Sequence, residues 1–477
     1  MPDNTFVHKC IFDTLAGLSE GLSHFSGPSR VAVIFKARAD EPFSLYDPQN
    51  LLRGHEPRLK ELYLDRWVER APRRIFNGKQ EFLHVFPEEN LQLAGLISYG
   101  GSSRAFHYQM WFTEHHPDMC AVGPTERWLE HAAWRVSHDV ADEKDLYTGI
   151  SGNFLKEYAT HAVRDHIVDE MNRELGWDTQ LRVFPILDAV LGISRTREEG
   201  AWPRGDLIFV EPTGTSGIGF LAKFPHLERP GLGNFKHVRK LLQAVEDSRR
   251  KLISDGVSIV GIAGDTLPGF FIGADFRVRH GFLNLASGPV CSFSDGRFHS
   301  TTHKAKLVQV EEVLLESDVS PEDQSTLFRI VADLVHSAEA LKHGCTLVLD
   351  LNRRPVAISG QAVEKPLDLR QEGTLELAKS LAKVDGALHI GRDLQLHGFA
   401  CLLDGRAIAG EDRSRGARFN SALRFTAERD NIVVVVVSAD RPVSVIEQGV
   451  ELNAQCQWKP VSGGTIRPPR LQEWLNE

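Results

Sequence analysis

A cluster of cations lies at the start of a predicted helix near the middle of the chain. In the segment GNFKHVRKLL, Lys236, Arg239 and Lys240 fall in the first turns of a helix for which Asn234 is the expected N-cap. Cations are unfavourable there, because the helix dipole places partial positive charge at the N-terminus. A bound anion would resolve the conflict, since the free N–H groups of a first turn bind phosphate. The segment therefore predicts either an anion contact or a basic, solvated face.

Other segments with chemically active side chains give weaker signals. Two histidine pairs on predicted helices, His131 with His138 and His161 with His166, lack the spacing of a metal-chelating motif. The segment TGTSGIG follows a predicted strand but has neither the P-loop ending nor the GxGxxG pattern, which favours an ordinary turn. No cysteine has a recognisable nucleophile context, so a cysteine-dependent hydrolase has no positive support.

The composition limits the class of protein. A chain of 477 residues is too long for one compact core, so two or three domains are expected. The net charge of −9 argues against general attraction to nucleic acid or to an anionic membrane. The 6 cysteines form no CxxC pair, and no signal peptide or run of about 20 apolar residues is seen. These features predict a cytoplasmic protein with reduced thiols.

The order of predicted elements indicates an α/β protein. Strand and helix patterns alternate over much of the chain, and one helix is predicted across 150–176. From Pro321 the alternation becomes regular, which indicates an α/β domain, preceded by further α/β or α+β domains. The predicted division is an N-terminal α+β region at 1–145, an α/β region at 146–320, a sheet domain at 321–450 and a C-terminal extension at 451–477.

One segment near the end of the chain combines charge with a fully apolar strand. In GEDRSRGARFNSALRFTAERDNIVVVVVSAD, arginine-bearing turns lead into a short predicted helix, and a run of valines follows. The valine run has no polar alternation, so both of its faces should be covered, as in a central strand of an α/β sheet.

This segment and its neighbours resemble a known family. KVDGALHIG, GARFNSA, IVVVVVSAD and PVSVIEQG are similar, in order and approximate spacing, to the diadenylate cyclase domain first known from the DNA-integrity scanning protein DisA. The resemblance covers about residues 321–449, and it implies a mixed central β-sheet flanked by helices in this part of the chain. The family joins two ATP molecules, so the resemblance implies a carboxylate for Mg²⁺ or Mn²⁺ and cationic groups around the phosphates.

The resemblance also assigns candidate site residues. Asp385 falls on the metal-binding position, and Arg418 falls on the first arginine of the family's Arg-His-Arg motif. The full predicted nucleotide-binding set is Asp385, Gly386, Ala387, Gly416, Arg418, Asn420, Ser421, Ser438 and Asp440.

The departures from the family pattern argue against turnover. Where the family has Thr-Arg-His-Arg, this chain has Ala417-Arg418-Phe419-Asn420, and Ala439 replaces the first acidic residue of the family's VSEE-like turn. Phosphoryl transfer depends on positioning and charge stabilisation, so these losses should reduce catalysis more than binding. Upstream, Arg413 and Arg415 are expected to compensate in part.

Together these features predict a cytoplasmic sensor of a nucleotide or nucleotide second messenger. It would resemble the DACNV-type sensor proteins, which form a non-catalytic branch of the superfamily, and it would act in bacterial signalling or defence. One alternative is an active cyclase that makes a cyclic dinucleotide from ATP, and another is an interaction scaffold without a ligand. The expected partners are a nucleotide or cyclic nucleotide and either a second copy of the chain or an effector, with no membrane and no strong nucleic-acid signal.

Overall fold

The computed structural model describes residues 4–67, 85–88, 90–116, 118–141, 147–197, 201–246, 249–277, 280–294, 296–302, 307–341, 343–408, 411, 416–438, 443–452 and 468–476. The chain forms two compact units. The first contains Met1–His303 and Cys456–Glu477, and the second contains Lys304–Gln455. The four-part division predicted from the sequence stays a prediction.

The first unit contains two β-sheets with helices packed against them. Its helices are α1 (Asn4–Ser26), α2 (Glu56–Lys60), α3 (Gly123–Ala141), α4 (Ile150–Lys156), α5 (Ala159–Leu175), α6 (Val183–Ser194) and α7 (Phe235–Leu242). Its first five strands are β1 (Val31–Lys36), β2 (Ser44–Tyr46), β3 (Phe86–Glu88), β4 (Leu96–Ser102) and β5 (Tyr108–Glu114), and they form a sheet in the order β2-β1-β5-β4-β3.

The second sheet of this unit has eight strands. They are β6 (Arg204–Phe209), β7 (Phe220–Lys223), β8 (Lys251–Ser254), β9 (Ile259–Ala263), β10 (Ile272–Arg277), β11 (His280–Leu285), β12 (Gly288–Ser294) and β13 (Arg297–His299). Their order is β13-β12-β11-β10-β6-β8-β9-β7, with β6 and β8 parallel and the other pairs antiparallel.

The single helix predicted across 150–176 is wrong, because the chain forms α4 and α5 with a break between them. The break allows the ring of Tyr158 to be buried against Trp128, with ring centroids 5.8 Å apart. It also lets α4 approach α1 closely at Gly17 and Gly152, where a Cβ atom would collide with the facing backbone. Packing therefore overrides a helical periodicity that continues through the break.

The second unit is a single mixed sheet with helices against both faces. Its helices are α8 (Val308–Glu316), α9 (Pro321–Leu341), α10 (Glu372–Leu381) and α11 (Ala417–Ala427). Its strands are β14 (Cys345–Asp350), β15 (Gln361–Asp368), β16 (Ala387–Gly391), β17 (Gln395–Cys401), β18 (Ile432–Val437), β19 (Ser444–Glu447) and β20 (Val450–Glu451). The order is β15-β17-β16-β14-β18-β19-β20, and only β14 with β16 is parallel within the described residues.

The valine strand β18 is buried along its whole length, which confirms the predicted covering of both faces. Val433, Val435 and Val437 pack in the cluster that includes α8, α9 and α10. On the other face, Val434 and Val436 pack with residues of α11. The mixed sheet flanked by helices confirms the predicted fold class. A strand without polar residues has no face that can be exposed to water, so its two-sided burial follows from its sequence.

The C-terminal helix α12 (Leu471–Trp474) belongs to the first unit. The N–H of Leu471 donates to the carbonyl of Phe43, and Leu471 and Trp474 are buried in the cluster that covers one face of the five-stranded sheet. In the described residues, no helix is long and apolar enough to cross a membrane.

Candidate nucleotide-binding site

Three strand ends meet at one edge of the sheet in the second unit. The strands β14 and β16 are parallel and begin at this edge, where Thr346 is opposite Ala387. The antiparallel strand β18 ends there, with Val437 opposite Cys345. The sheet register therefore places residues 385–386, which directly precede β16, beside the start of β14 at Gly344, and Ser438 lies on the other side of Gly344.

Asp385 and Arg418 meet at this edge. Their side chains form an ion pair with 3.2 Å between Arg418 Nη2 and Asp385 Oδ1. The Asp385 side chain is fully exposed, at 101%, and that of Arg418 is 47% exposed. Such an exposed ion pair contributes little to stability, so both charges can exchange this contact for a ligand.

Two glycines, Gly386 and Gly344, allow close packing at this edge of the sheet. Gly386 has φ of +112°, and a Cβ atom there would lie 2.5 Å from the carbonyl carbon of Ala400. Only glycine fits such a position without strain. At Gly344, a Cβ atom would lie 2.5 Å from Nη1 of Arg418. The position of Gly344 beside the guanidinium group was not predicted from the sequence.

The first turn of α11 presents its free N–H groups near Arg418. Gly416 is the exposed N-cap residue, and its carbonyl accepts from the N–H of Asn420 over 3.2 Å. Phe419 points the other way and is buried with Ala422 and Phe425 in the apolar cluster beneath the helix. The helix start can therefore bind an anion, but the position of the family's histidine is part of the core.

The remaining predicted residues lie near this edge or outside the described residues. Ala387 is buried as the first residue of β16. Ser421 is half-buried one position beyond Asn420, and Ser438 is half-buried directly after β18. Asp440, Arg413 and Arg415 lie outside the described residues, and so does Ala439.

Burial controls the ionisation of the thiol beside the site. Burial raises the pKa of Cys345 to about 12, and the positive charge of Arg418 opposes this increase. The Cys345 thiol is therefore protonated at neutral pH and is unsuited to act as a nucleophile.

An ion pair joins Glu411 to α11. Arg424 donates from Nε and Nη2 to the two carboxylate oxygens of Glu411, both over 2.6 Å. Glu411 also accepts from the N–H of Ile408 over 2.9 Å. A bidentate arginine pair restricts geometry more than a single contact does. This contact, which sequence reasoning missed, ties residue 411 to the helix that carries Arg418.

A second polar cluster, also missed, lies at the opposite edge of the same sheet. His389 on β16 and Asp350 on β14 are buried, with 2.9 Å between His389 Nε2 and Asp350 Oδ2. Asp350 also accepts from the backbone N–H groups of Asn352 and Val356. Because β14 and β16 run parallel, their carboxyl ends lie far from Asp385, so this cluster is separate from the candidate site.

The packing of α7 separates the three cations of the predicted anion contact. Lys236 and Lys240 are exposed, whereas Arg239 is buried and donates to the carbonyl of Trp202 over 2.6 Å. Asn234 caps the helix as predicted, since its Oδ1 accepts from the N–H of His237 over 3.2 Å. The structure therefore does not bring the three cations together on one surface, and the anion contact stays a prediction.

The residues at the sheet edge fit a metal ion only in part. Among the described residues, no group of three or more His, Cys, Asp or Glu side chains is placed to hold a metal ion. Asp385 offers an exposed carboxylate there. Mg²⁺ commonly takes one carboxylate together with phosphate oxygens of a nucleotide, so Asp385 could hold Mg²⁺ or Mn²⁺ only in company with a ligand.

Comparison with protein families gives three consecutive matches. Residues 5–177 match the probable sensor domain DACND, and residues 184–291 match the probable sensor domain DACNH. Residues 333–450 match the DAC family, described as DisA bacterial checkpoint controller nucleotide-binding. These matches confirm the resemblance to the diadenylate cyclase domain and its sensor architecture, with the sensor types DACND and DACNH where the sequence suggested DACNV. They support a sensor or nucleotide-binding role.

Solved structures resemble only part of the chain. A hypothetical membrane spanning protein from Bacillus cereus is 21% identical over 26% of this chain, with a TM-score of 0.22, and the match spans 60% of that protein. A double mutant of DacA from Staphylococcus aureus is 17% identical over 28% of this chain and 91% of its own, also with a TM-score of 0.22. No curated protein matches the chain.

Proposed function

We propose that the chain is a sensor for a nucleotide or a nucleotide-derived second messenger, which binds at the sheet edge around Asp385 and Arg418. The observation that carries the proposal is the meeting of these two side chains beside the free first turn of α11. Arg418 and the helix N-terminus would bind phosphate, and Asp385 would hold a divalent cation carried by the nucleotide.

The same site lacks the groups expected for rapid cyclisation. Phe419 contributes an apolar ring to the core where the resemblance implies a histidine. Asn420 supplies a neutral amide where it implies a second arginine. Ground-state binding needs fewer charges than stabilisation of a phosphoryl-transfer transition state, so binding without turnover is the expected outcome. The cytoplasmic location and the signalling or defence role are parts of this proposal.

Product analysis separates a sensor from an active cyclase. The purified chain is incubated with ATP and Mn²⁺, and the products are identified by mass spectrometry. The sensor proposal expects no cyclic dinucleotide. A cyclic product formed by the wild type and absent for Asp385→Asn would overturn the sensor proposal in favour of an active cyclase.

Calorimetric titration separates a sensor from a scaffold. We expect a nucleotide or cyclic dinucleotide to bind, and Arg418→Ala to weaken that binding by about 1.5–3 kcal/mol, the usual value for a hydrogen bond to a charged group. The matched control is Arg354→Ala, an exposed arginine of the same unit away from the site. Unchanged affinity in Arg418→Ala would show that Arg418 is not part of the site. An absence of binding across a nucleotide panel would favour an interaction scaffold without a ligand.

A further inference from the structure

A groove of about 400 Å³ lies on the first unit between α5 and the start of α6. The DACND match ends at residue 177 and the DACNH match begins at residue 184, so the groove spans the junction of the two. Its volume is within the range of small-molecule sites in proteins. It is lined by aromatic, cationic and amide side chains, among them Arg164, Asn172, Trp177, Arg182 and Phe184.

Two aromatic rings are exposed in the groove. Trp177 is 88% exposed and Phe184 is 49% exposed. Phe184 is held from one side by a stacked contact with His161, with ring centroids 6.1 Å apart and an interplanar angle of 28°. Both rings offer exposed faces on which a planar group can stack.

The polar side chains of the groove differ in whether they already have a hydrogen-bond or ion-pair partner. Arg164 donates from Nε and Nη2 to Asp165, which compensates its charge. Arg182 and Asn172 have no side-chain hydrogen bond or ion pair to any residue that the structure describes. The groove therefore offers one uncompensated guanidinium group for an anion and one amide that can both donate and accept.

The backbone that carries these groups is fixed. The carboxylate of Glu211 accepts from the N–H of Gln180 over 2.9 Å and from the N–H of Leu181 over 3.3 Å. The Leu181 side chain is buried, and Thr179 contacts the sulfur of Met171 over 3.5 Å. The segment between Trp177 and Arg182 is thus anchored at its centre, which reduces the ordering cost of binding a ligand.

We propose that this groove is a second binding site, for a ligand in which a planar aromatic ring carries an anionic group, the chemistry of a nucleotide. The base would stack on Trp177 and Phe184, Asn172 would contact its polar edge, and Arg182 would bind its phosphate. Arg182 is the feature that distinguishes such a ligand from a neutral apolar one. The proposal does not rest on the site around Asp385 and Arg418.

The test uses the full chain carrying Arg418→Ala, so that the two sites are separated. AMP, GMP and CMP are titrated by calorimetry and by quenching of tryptophan fluorescence, and inorganic phosphate is titrated in parallel. We expect at least one monophosphate to bind more tightly than phosphate does. In the same background, Trp177→Ala and Arg182→Ala should each weaken that binding about fivefold or more.

Two further variants make the result specific. Trp177→Phe restores a ring and should recover most of the affinity, whereas Arg297→Ala removes an exposed cation outside the groove and should have no effect. The proposal is overturned if none of the monophosphates binds, if phosphate alone binds equally well, or if binding survives both Trp177→Ala and Arg182→Ala. If Arg418→Ala leaves all nucleotide binding of the wild type unchanged while Trp177→Ala and Arg182→Ala abolish it, only the proposed function is contradicted.

Discussion

Asp385 and Arg418 neutralise each other in the free protein, and this pairing has a consequence for any phosphate ligand. An anion that binds Arg418 must either displace the Asp385 carboxylate or bind together with a divalent cation that bridges the anion and this carboxylate. Because both side chains are exposed, the exchange costs little. The pair therefore predicts a nucleotide affinity that depends on divalent cations.

Asp385→Asn tests that dependence. Without divalent cations, the substitution should raise the affinity for a phosphate-bearing nucleotide by up to about fivefold, since a competing and repelling carboxylate is lost. With Mn²⁺, the wild type should bind more tightly than without it, and the variant should not respond. Calorimetric titration with and without EDTA measures both effects.

A matched control for this variant lies at the other edge of the sheet. Asp430→Asn removes an exposed carboxylate just before β18, whereas the site lies where that strand ends. It should leave the response to Mn²⁺ unchanged. If wild type and Asp385→Asn respond equally to Mn²⁺, Asp385 does not hold the cation.

The paired strands β14 and β16 carry a buried ionisable pair that couples their stability to pH. Burial by itself would raise the pKa of Asp350, but hydrogen bonds from His389, Val356 and Asn352 outweigh it and hold the pKa below the ordinary value of 3.8. A carboxylate with a lowered pKa in the folded state stabilises that state fully above its ordinary pKa. The stabilisation is lost as the pH falls below about 4.

Asp350→Asn should reveal this contribution. At pH 7 the free energy of unfolding of the second unit should fall by about 1–3 kcal/mol, because a buried hydrogen-bonded carboxylate is replaced by an amide that cannot accept every bond. The loss of stability between pH 4 and pH 2 should be shallower than in the wild type. Urea titration followed by hydrogen exchange of the β14 amides gives both values. Equal stability at pH 7 and an equal slope in acid would contradict the role assigned to Asp350.

At the scale of the whole molecule, the end of the chain completes the first unit. The guanidinium of Arg53 lies 4.4 Å from the centre of the Trp474 ring, and Leu45 donates from its N–H to the carbonyl of Pro469. Trp474 is 4% exposed and Leu471 is fully buried. The last residues are thus part of the hydrophobic core against the five-stranded sheet, although the sequence assigned them only to a terminal extension.

Trp474→Ala should destabilise the first unit by about 3–5 kcal/mol, the usual effect of removing a large buried aromatic side chain. Hydrogen exchange of the β1 and β5 amides measures it. Arg53→Ala removes the cation above the ring, a hydrogen bond to the Trp474 carbonyl and an exposed ion pair with Glu56, and it should have a smaller effect. Exchange rates in β1 and β5 that are the same in Trp474→Ala and in the wild type would show that this segment does not stabilise the sheet.

Much of the fold could be predicted because local patterns constrain it. The alternation of helices and strands indicated an α/β domain, and the valine run indicated a strand buried on both faces. Asn234 was identifiable as an N-cap, because its side chain needs only the N–H group three residues ahead. The break between α4 and α5 could not be predicted, since it depends on Tyr158 packing against Trp128 from another helix.

The sequence by itself indicated most of the elements, because periodicity is a local property, and its resemblance to the diadenylate cyclase domain made Asp385, Gly386 and Arg418 candidates. Only the tertiary structure decided which residues meet. Asp385 and Arg418 are 33 positions apart, and the register of β14, β16 and β18 places them at one edge. Likewise, the packing of α7 turned Arg239 away from Lys236 and Lys240. Distances between residues that are far apart in the sequence depend on strand register and helix packing, so a local sequence pattern cannot predict them.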